Sequence, residues 1–275
     1  MHDKFLNLIE IGIGSYTFPW AMGVPGYEVK HPMTAFDLIE KASELYAFVV
    51  QLADNVPLDS FSKKELADLL RLAKKRSIAL EVGARGMTAE RLEKYIHIAS
   101  SLKSKILRFV IDGPDYQPTN DEVVAVIDAL LPLLEKTKIK LALENHDRLR
   151  CNDLVHYMFS YLSPYLGICL DTVNSLGVPE GPKDVYHRLA RFTINLHIKD
   201  YTITRLDHNM GFKVEGTPAG QGKLNISGLL FMLNRIGLCD TAILELWTPF
   251  GPTIEETIER ENSWAIESMK YLQQF

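Results

Sequence analysis

Short runs rich in isoleucine, valine and leucine recur along this chain, and each is followed by a longer stretch with other patterning. The runs are residues 9–15, 47–53, 77–83, 105–111, 139–144, 166–171, 192–197 and 241–247. Continuous apolar runs of this length suit strands covered on both faces, as in a parallel sheet. Between them, residues 34–45 open at an N-capping Thr34, and residues 63–76 place apolar side chains three and four apart. Residues 88–102, 120–137 and 253–275 repeat that helical spacing. Strand–helix–strand units force parallel neighbours, and eight of them are enough to close a barrel. The expectation is a single (β/α)8 domain over residues 1–275. An open doubly wound sheet would also alternate, but GIGSYT after the first run lacks the third glycine of a dinucleotide-binding turn.

Four of the runs end in residues that packing does not explain. Glu144 ends IKLALE, Asp171 ends LGICLD, His197 ends FTINLH, and Glu245 follows TAIL. Burying an unpaired carboxylate is expensive, so four such endings converging on one face point to a metal. Taken singly, each could instead be a salt-bridged rim residue. Three carboxylates favour Mg²⁺ or Mn²⁺, and the imidazole extends the choice to Co²⁺ and Zn²⁺. The set is anionic, so a neighbouring cation would be useful. Residues 199–223 carry no clear helix, and a long ordered loop at this end of a barrel is usually functional.

Composition removes several other classes. A formal net charge of −5 with no Lys/Arg run argues against a nucleic-acid surface. Three cysteines without metal-type spacing suggest reduced thiols, and Cys169 sits within an apolar run as a small buried hydrophobe. No stretch reaches the roughly 18 apolar residues of a membrane span, and MHDKFLNLIE lacks a signal-peptide shape. A cytoplasmic protein with no membrane or nucleic-acid partner is expected. No heptad or apolar stripe marks an oligomer surface, though a homo-oligomer through outer helices is compatible with the chain.

The ligand order, with the segments LENH, LDTVN, HIKD and PAGQG, resembles the xylose isomerase-like TIM barrels, the sugar phosphate isomerase/epimerase family. The likeness spans essentially the whole chain. It implies that Glu144, Asp171, His197 and Glu245 hold one divalent ion, and that Glu144 and Glu245 act as acid and base on a carbohydrate. One departure stands out. Epimerases of the family often carry a histidine three residues after the aspartate, where this chain has Asn174. An amide can bond a hydroxyl but cannot shuttle a proton at neutral pH. His146, two residues beyond Glu144 on an extended segment, points the same way and is the compensating candidate.

Basic residues then suggest an anionic substrate. Arg108 lies inside an apolar run, Arg85 follows the third, and Lys199 follows His197 in HIKD. Guanidinium forks match carboxylate or phosphate. The bland alternative is an internal ion pair, for instance Glu81 with Arg85 or Arg108. Lys199 could stabilise an oxyanion or transfer a proton, with Asp200 orienting it or pairing with it. Arg205 and His208 are lid candidates. Tyr16, Phe18, Trp20 and Trp247 are candidate walls, and Gln51 and Asn55 candidate hydroxyl contacts.

The leading expectation is a metal-dependent isomerase or epimerase of a sugar, sugar acid or sugar phosphate, acting through an enediolate. The alternative is a lyase, a decarboxylase or dehydratase of an oxo sugar acid on the same ligands. A third reading is a non-catalytic sugar-binding barrel.

Overall fold

The alternation of buried strands with capped helices closes into a ring in the computed structural model, which describes residues 8–275. The strands are β1 (Glu10–Gly14), β2 (Val49–Leu52), β3 (Ala79–Arg85), β4 (Ile106–Val110), β5 (Lys140–Glu144), β6 (Leu166–Asp171) and β7 (Thr193–Ile198), then the hairpin β8 (Asp200–Arg205) and β9 (Phe212–Thr217), and last β10 (Thr241–Leu244). Seven of these and β10 form a closed parallel barrel in the order β1-β10-β7-β6-β5-β4-β3-β2. The (β/α)8 expectation holds.

The helices fill the connections: α1 (Pro19–Met22), α2 (Ala35–Glu44), α3 (Lys63–Lys75), α4 (Ala89–Ser101), α5 (Asn120–Thr137), α6 (Cys151–Tyr161), α7 (Pro182–Leu189), α8 (Ile226–Ile236) and α9 (Ile254–Leu272). Several start as their sequence dictates. Thr34, Ser62 and Thr119 each accept the backbone N–H three residues on, while Asp37, Glu65 and Glu122 bond back to the cap. Each such box is worth about 1 kcal/mol and sets where the helix leaves its loop. Among the described residues no helix is long and apolar enough to cross a membrane. The reading of the first residues as free of a signal peptide falls largely on residues 1–7, outside the described residues.

Residues 199–223 differ from the expected loop. They form the antiparallel β8–β9 pair, with Tyr201 opposite Gly216 and Ile203 opposite Val214, before turning into α8. The alternation TITR and KVEG is short and half polar, so it lacks the continuous apolar signal that marks the barrel strands. Gly216 seats the hairpin: a Cβ there would collide with the Trp247 carbonyl. The connection after β7 is thereby held against the loop after β10, beside the mouth of the barrel.

Inside the ring, the lumen is partly polar. Gln51, Glu81, Asn195 and Thr241 are buried and hydrogen-bonded to one another. Most barrels of this type fill the lumen with branched apolar layers. Here Gly83 adds space for a charge as well, since a Cβ at that position would sit 3.4 Å from Arg108 Cδ and 3.1 Å from Ala53 Cα.

Candidate active site

Parallel closure puts the ends of β5, β6, β7 and β10 side by side, and with them Glu144, Asp171, His197 and Glu245. All four are buried. His197 Nε2 meets Gln51 Oε1 at 2.7 Å. Its Nδ1 has no hydrogen-bond partner and faces Glu245 Oε1 at 3.3 Å, Glu144 Oε2 at 3.6 Å and Asp171 Oδ2 at 3.9 Å. Glu245 Oε1 is likewise without a hydrogen bond. A buried imidazole nitrogen without a hydrogen-bond partner, facing three carboxylates, is costly unless something fills the centre. Metal bonds of about 2.0–2.2 Å place neighbouring ligand atoms roughly 3–4 Å apart, so the spacing fits a divalent ion. Asp171, His197 and Glu245 offer ligand atoms all within 4.8 Å of one another, as do Glu144, Cys169 and His197. Cys169 faces Asn195 Oδ1 at 3.2 Å, and burial pushes its thiol well up, so it contributes a neutral S–H.

The surrounding loops orient these four side chains. Asp171 Oδ1 accepts the backbone N–H groups of Val173 and Asn174, both at 2.8 Å, which leaves Oδ2 for the site. Asn145 brackets the same strand end, bonding the Asp171 carbonyl at 2.9 Å and its N–H at 2.7 Å. Lys199 Nζ bridges Asp171 Oδ2 at 2.6 Å and Glu245 Oε2 at 2.7 Å. Burial alone would depress this ammonium, but Asp171, Glu245 and Glu144 outweigh it and hold its pKa well above the usual lysine value. In turn, burial would raise Asp171 and Glu245, yet the neighbouring cations hold both below the usual carboxylate range. Glu144 goes the other way, lifted by burial against the pull of Arg108 and His197.

Above the ligands lies a cavity of about 480 Å³. Arg85, Arg108, His146, Lys199, Trp20 and Trp247 are among its walls. Arg108 is not free: its Nε donates to Glu144 Oε2 and its Nη1 to Asp54 Oδ1 at 2.9 Å. The internal-pair reading of Arg108 holds, but its partners are Asp54 and Glu144. The suggested partner Glu81 lies in the lumen and bonds Thr241, Gln51 and Asn195 instead. Asp54 is the residue missed in the sequence. It also accepts from Tyr16 Oη at 3.0 Å and lies 3.9 Å from Arg85 Nη1. Despite burial, Arg108 holds its carboxyl below the ordinary value. It directly follows the second strand run, in QLAD, so the rule that flagged Glu144 and Asp171 would have flagged it too.

Arg85 keeps a freer guanidinium, with only the 3.9 Å approach to Asp54 and a buried Nε that has no partner. His146 Nδ1 lies 2.9 Å from Asp147 Oδ2, and burial pushes its imidazole below the ordinary histidine value. Asn174 Nδ2 donates to Glu144 Oε1 at 2.8 Å at the cavity edge.

Other candidates lie elsewhere. Arg205 packs on Phe212 and bonds the Asn209 carbonyl at 3.0 Å, on the exposed hairpin outside this cavity. His208 caps the same exposed turn. Phe18 is core, Asn55 ties Ser15 to the loop after β2, and Gln51 sits below the ligands rather than in the cavity. Asp200 neither orients nor pairs with Lys199. It accepts the N–H groups of Gly220, Gly222 and Leu224, so two of the PAGQG amides are committed to it. Neighbouring residues on a strand point to opposite sides, which separates Lys199 from Asp200.

The chain belongs to the xylose isomerase-like TIM barrel family. The family model matches residues 36–275. Within reach of that family, the chain is 31% identical over 262 residues to the 3-oxo-isoapionate decarboxylase of Pectobacterium atrosepticum, covering 95% of this chain and 94% of that protein. Its fold matches a xylose isomerase-like TIM barrel protein from Mycobacterium smegmatis in complex with magnesium, with TM-score 0.69, 14% identity and coverage of 98% and 99%. A D-psicose 3-epimerase in the presence of D-fructose matches with TM-score 0.69, 16% identity and coverage of 96% and 97%.

The wall beside Trp20 carries a titrating group of its own. Glu261 on α9 accepts the Trp20 and Ala21 N–H groups, both at 3.0 Å. Burial pushes its carboxyl up to about 8, and those two bonds offset only part of the shift. The native state therefore keeps this proton where the unfolded chain, with a value near 4.5, has lost it. Stability should fall as pH rises between those two values, by up to about 1.4 kcal/mol per unit. Denaturant midpoints across this window should show a shallower decline for Glu261→Gln than for wild type.

Proposed function

We propose that the protein is a divalent-metal-dependent decarboxylase of a 3-oxo sugar acid, a substrate of the kind its Pectobacterium relative is named for. The observation that carries this reading is the engagement of Glu144. Arg108 takes one of its oxygens and Asn174 the other. An epimerase working with two bases needs both glutamates free to pass a proton, whereas a decarboxylase needs only a proton donor after the bond breaks.

Charge supports the same choice. Glu144, Asp171, Glu245 and Asp54 face Arg108, Lys199 and Arg85, so a divalent ion would leave the site at about +1, matched by a carboxylate. Mg²⁺, Mn²⁺, Co²⁺ or Zn²⁺ held by Glu144, Asp171, His197 and Glu245 would supply Lewis-acid polarisation of the substrate carbonyl. Arg85 binds the carboxylate through its unpartnered edge. When the bond to that carboxylate breaks, CO₂ leaves, the electron pair stays with the substrate, and the former α-carbon takes a proton from Lys199 Nζ. Solvent returns a proton to the lysine. His146 and Trp20 line the same cavity; His146 orients the hydroxyls, and Trp20, whose indole N–H is spent on the Thr248 carbonyl, packs against the carbon skeleton.

Metal-loaded protein incubated with 3-oxo sugar acids labelled with ¹³C in the carboxylate should release labelled CO₂. A product of unchanged mass would establish an isomerase or epimerase instead and overturn this reading. Arg85→Met should lower kcat/KM for the acid by roughly 10–100-fold, mostly through KM, as expected for loss of a charge-assisted pair. An unchanged KM would remove Arg85 from the carboxylate site.

A further inference from the structure

The polar layer in the lumen takes no part in the chemistry above, yet it touches the metal site at one atom. Gln51 on β2 reaches His197 on β7, although β1 and β10 stand between those strands in the ring. The contact crosses the lumen, and β1 contributes only Gly12 and Gly14 at that level. A Cβ on Gly14 would come within 3.0 Å of Ile243 Cγ2 and 3.8 Å of Glu245 Oε1.

Burial pushes the Glu81 carboxyl up to about 7, and above that pH its carboxylate only accepts, which fixes the direction of every hydrogen bond in the layer. Its Oε1 takes the Thr241 hydroxyl at 2.7 Å, and its Oε2 takes Gln51 Nε2 at 3.0 Å and Asn195 Nδ2 at 3.1 Å. Having spent its proton, Thr241 Oγ1 accepts the other Asn195 N–H at 2.8 Å. Asn195 therefore turns its carbonyl oxygen outward, where it accepts from Gln51 Nε2 at 3.1 Å and from the Cys169 thiol at 3.2 Å. Both Gln51 N–H groups are now used, so the group left for His197 Nε2, 2.7 Å away, is the amide oxygen. An oxygen without a proton requires Nε2 to carry one. Neutral imidazole has a single N–H, so Nδ1 is left as a bare lone pair. That is the atom facing Glu144, Asp171 and Glu245.

We infer that Glu81 is a positioning residue for metal capture: through Gln51 it sets the His197 tautomer that leaves Nδ1 free to ligate. This rests on the metal-site reading only for its consequence, because the hydrogen bonds that set the tautomer involve no ion. With Glu81→Gln the layer gains a donor, Gln51 can turn over, and an amide N–H facing Nε2 would drive the proton to Nδ1. Fixing a ligand histidine in this way is worth about 10–100-fold in metal affinity.

The test is ¹⁵N NMR of the histidine rings in metal-free protein at a pH above about 8, where Glu81 is ionised, with His197→Gln identifying the signal, beside Mn²⁺ titration by calorimetry. Wild type should show His197 protonated at Nε2. Glu81→Gln and Gln51→Leu should shift the ring toward a tautomer mixture and weaken Mn²⁺ binding by about 10–100-fold. A proton on Nδ1 in wild type overturns the inference without any variant. An unchanged tautomer in both variants overturns it too, and melting curves show whether either has simply unfolded. A ring protonated at Nε2 in a wild type that takes up no Mn²⁺ would leave the tautomer relay standing and defeat the metal reading alone.

Discussion

Glu245→Gln should lose its metal while keeping its fold. The change preserves shape and removes one of the three carboxylates that face His197 Nδ1. Disturbing a residue behind a ligand costs about 10–100-fold in affinity, and removing a ligand should exceed that. If the ion supplies several kcal/mol of carbonyl polarisation, turnover should fall on the order of 10³-fold. Plasma mass spectrometry of wild type should find about one divalent ion per chain, matching the cluster around His197, and the variant should be depleted. Full metal content in the variant would mean that Glu245 is not a ligand. No metal in wild type, even after reloading, would remove the shared basis of the isomerase and lyase readings and leave the sugar-binding barrel.

Lys199→Met should be the most damaging change to the metal-free protein. The ammonium is buried between Asp171 and Glu245, and Arg108 is the other full charge touching the ligand carboxylates. Deleting one partner of a buried charge set costs about 3–5 kcal/mol, since the carboxylates left behind are neither solvated nor paired. Because the ion would sit among the same carboxylates, metal should rescue the variant more than wild type. A free metal concentration of 100 times Kd returns about 2.7 kcal/mol. Thermal melts with and without Mn²⁺ would show both effects. Turnover should drop by about 10²–10⁴-fold at saturating metal, the usual range for a lost proton donor. A variant that melts like wild type and turns over normally would make Lys199 a bystander.

Much of this could be read before any coordinates. Glu144, Asp171 and His197 end apolar runs, and Glu245 follows one; in a parallel barrel every strand end faces the same mouth. That inference needs only local patterning and chain direction. The placements it got wrong depend on partners distant in sequence. Local spacing offers Glu81 as an ion-pair partner for Arg85 or Arg108, but Glu81 bonds Thr241 in the lumen, and Asp54 reaches the Arg108 guanidinium from the loop after β2. A loop after β7 would make Arg205 a lid residue; as a strand residue of the hairpin it stacks on Phe212 instead.

By itself the sequence determined the barrel, the four strand-end positions Glu144, Asp171, His197 and Glu245, and the cations that accompany them, because strand, helix and chain direction are encoded locally. Only the tertiary structure decided which charges pair, which partner takes each oxygen of Glu144, and which side chain meets Nε2 of His197. Those depend on the register of the closed ring, which joins β2 to β7 across the lumen, and no spacing along the chain reports that distance.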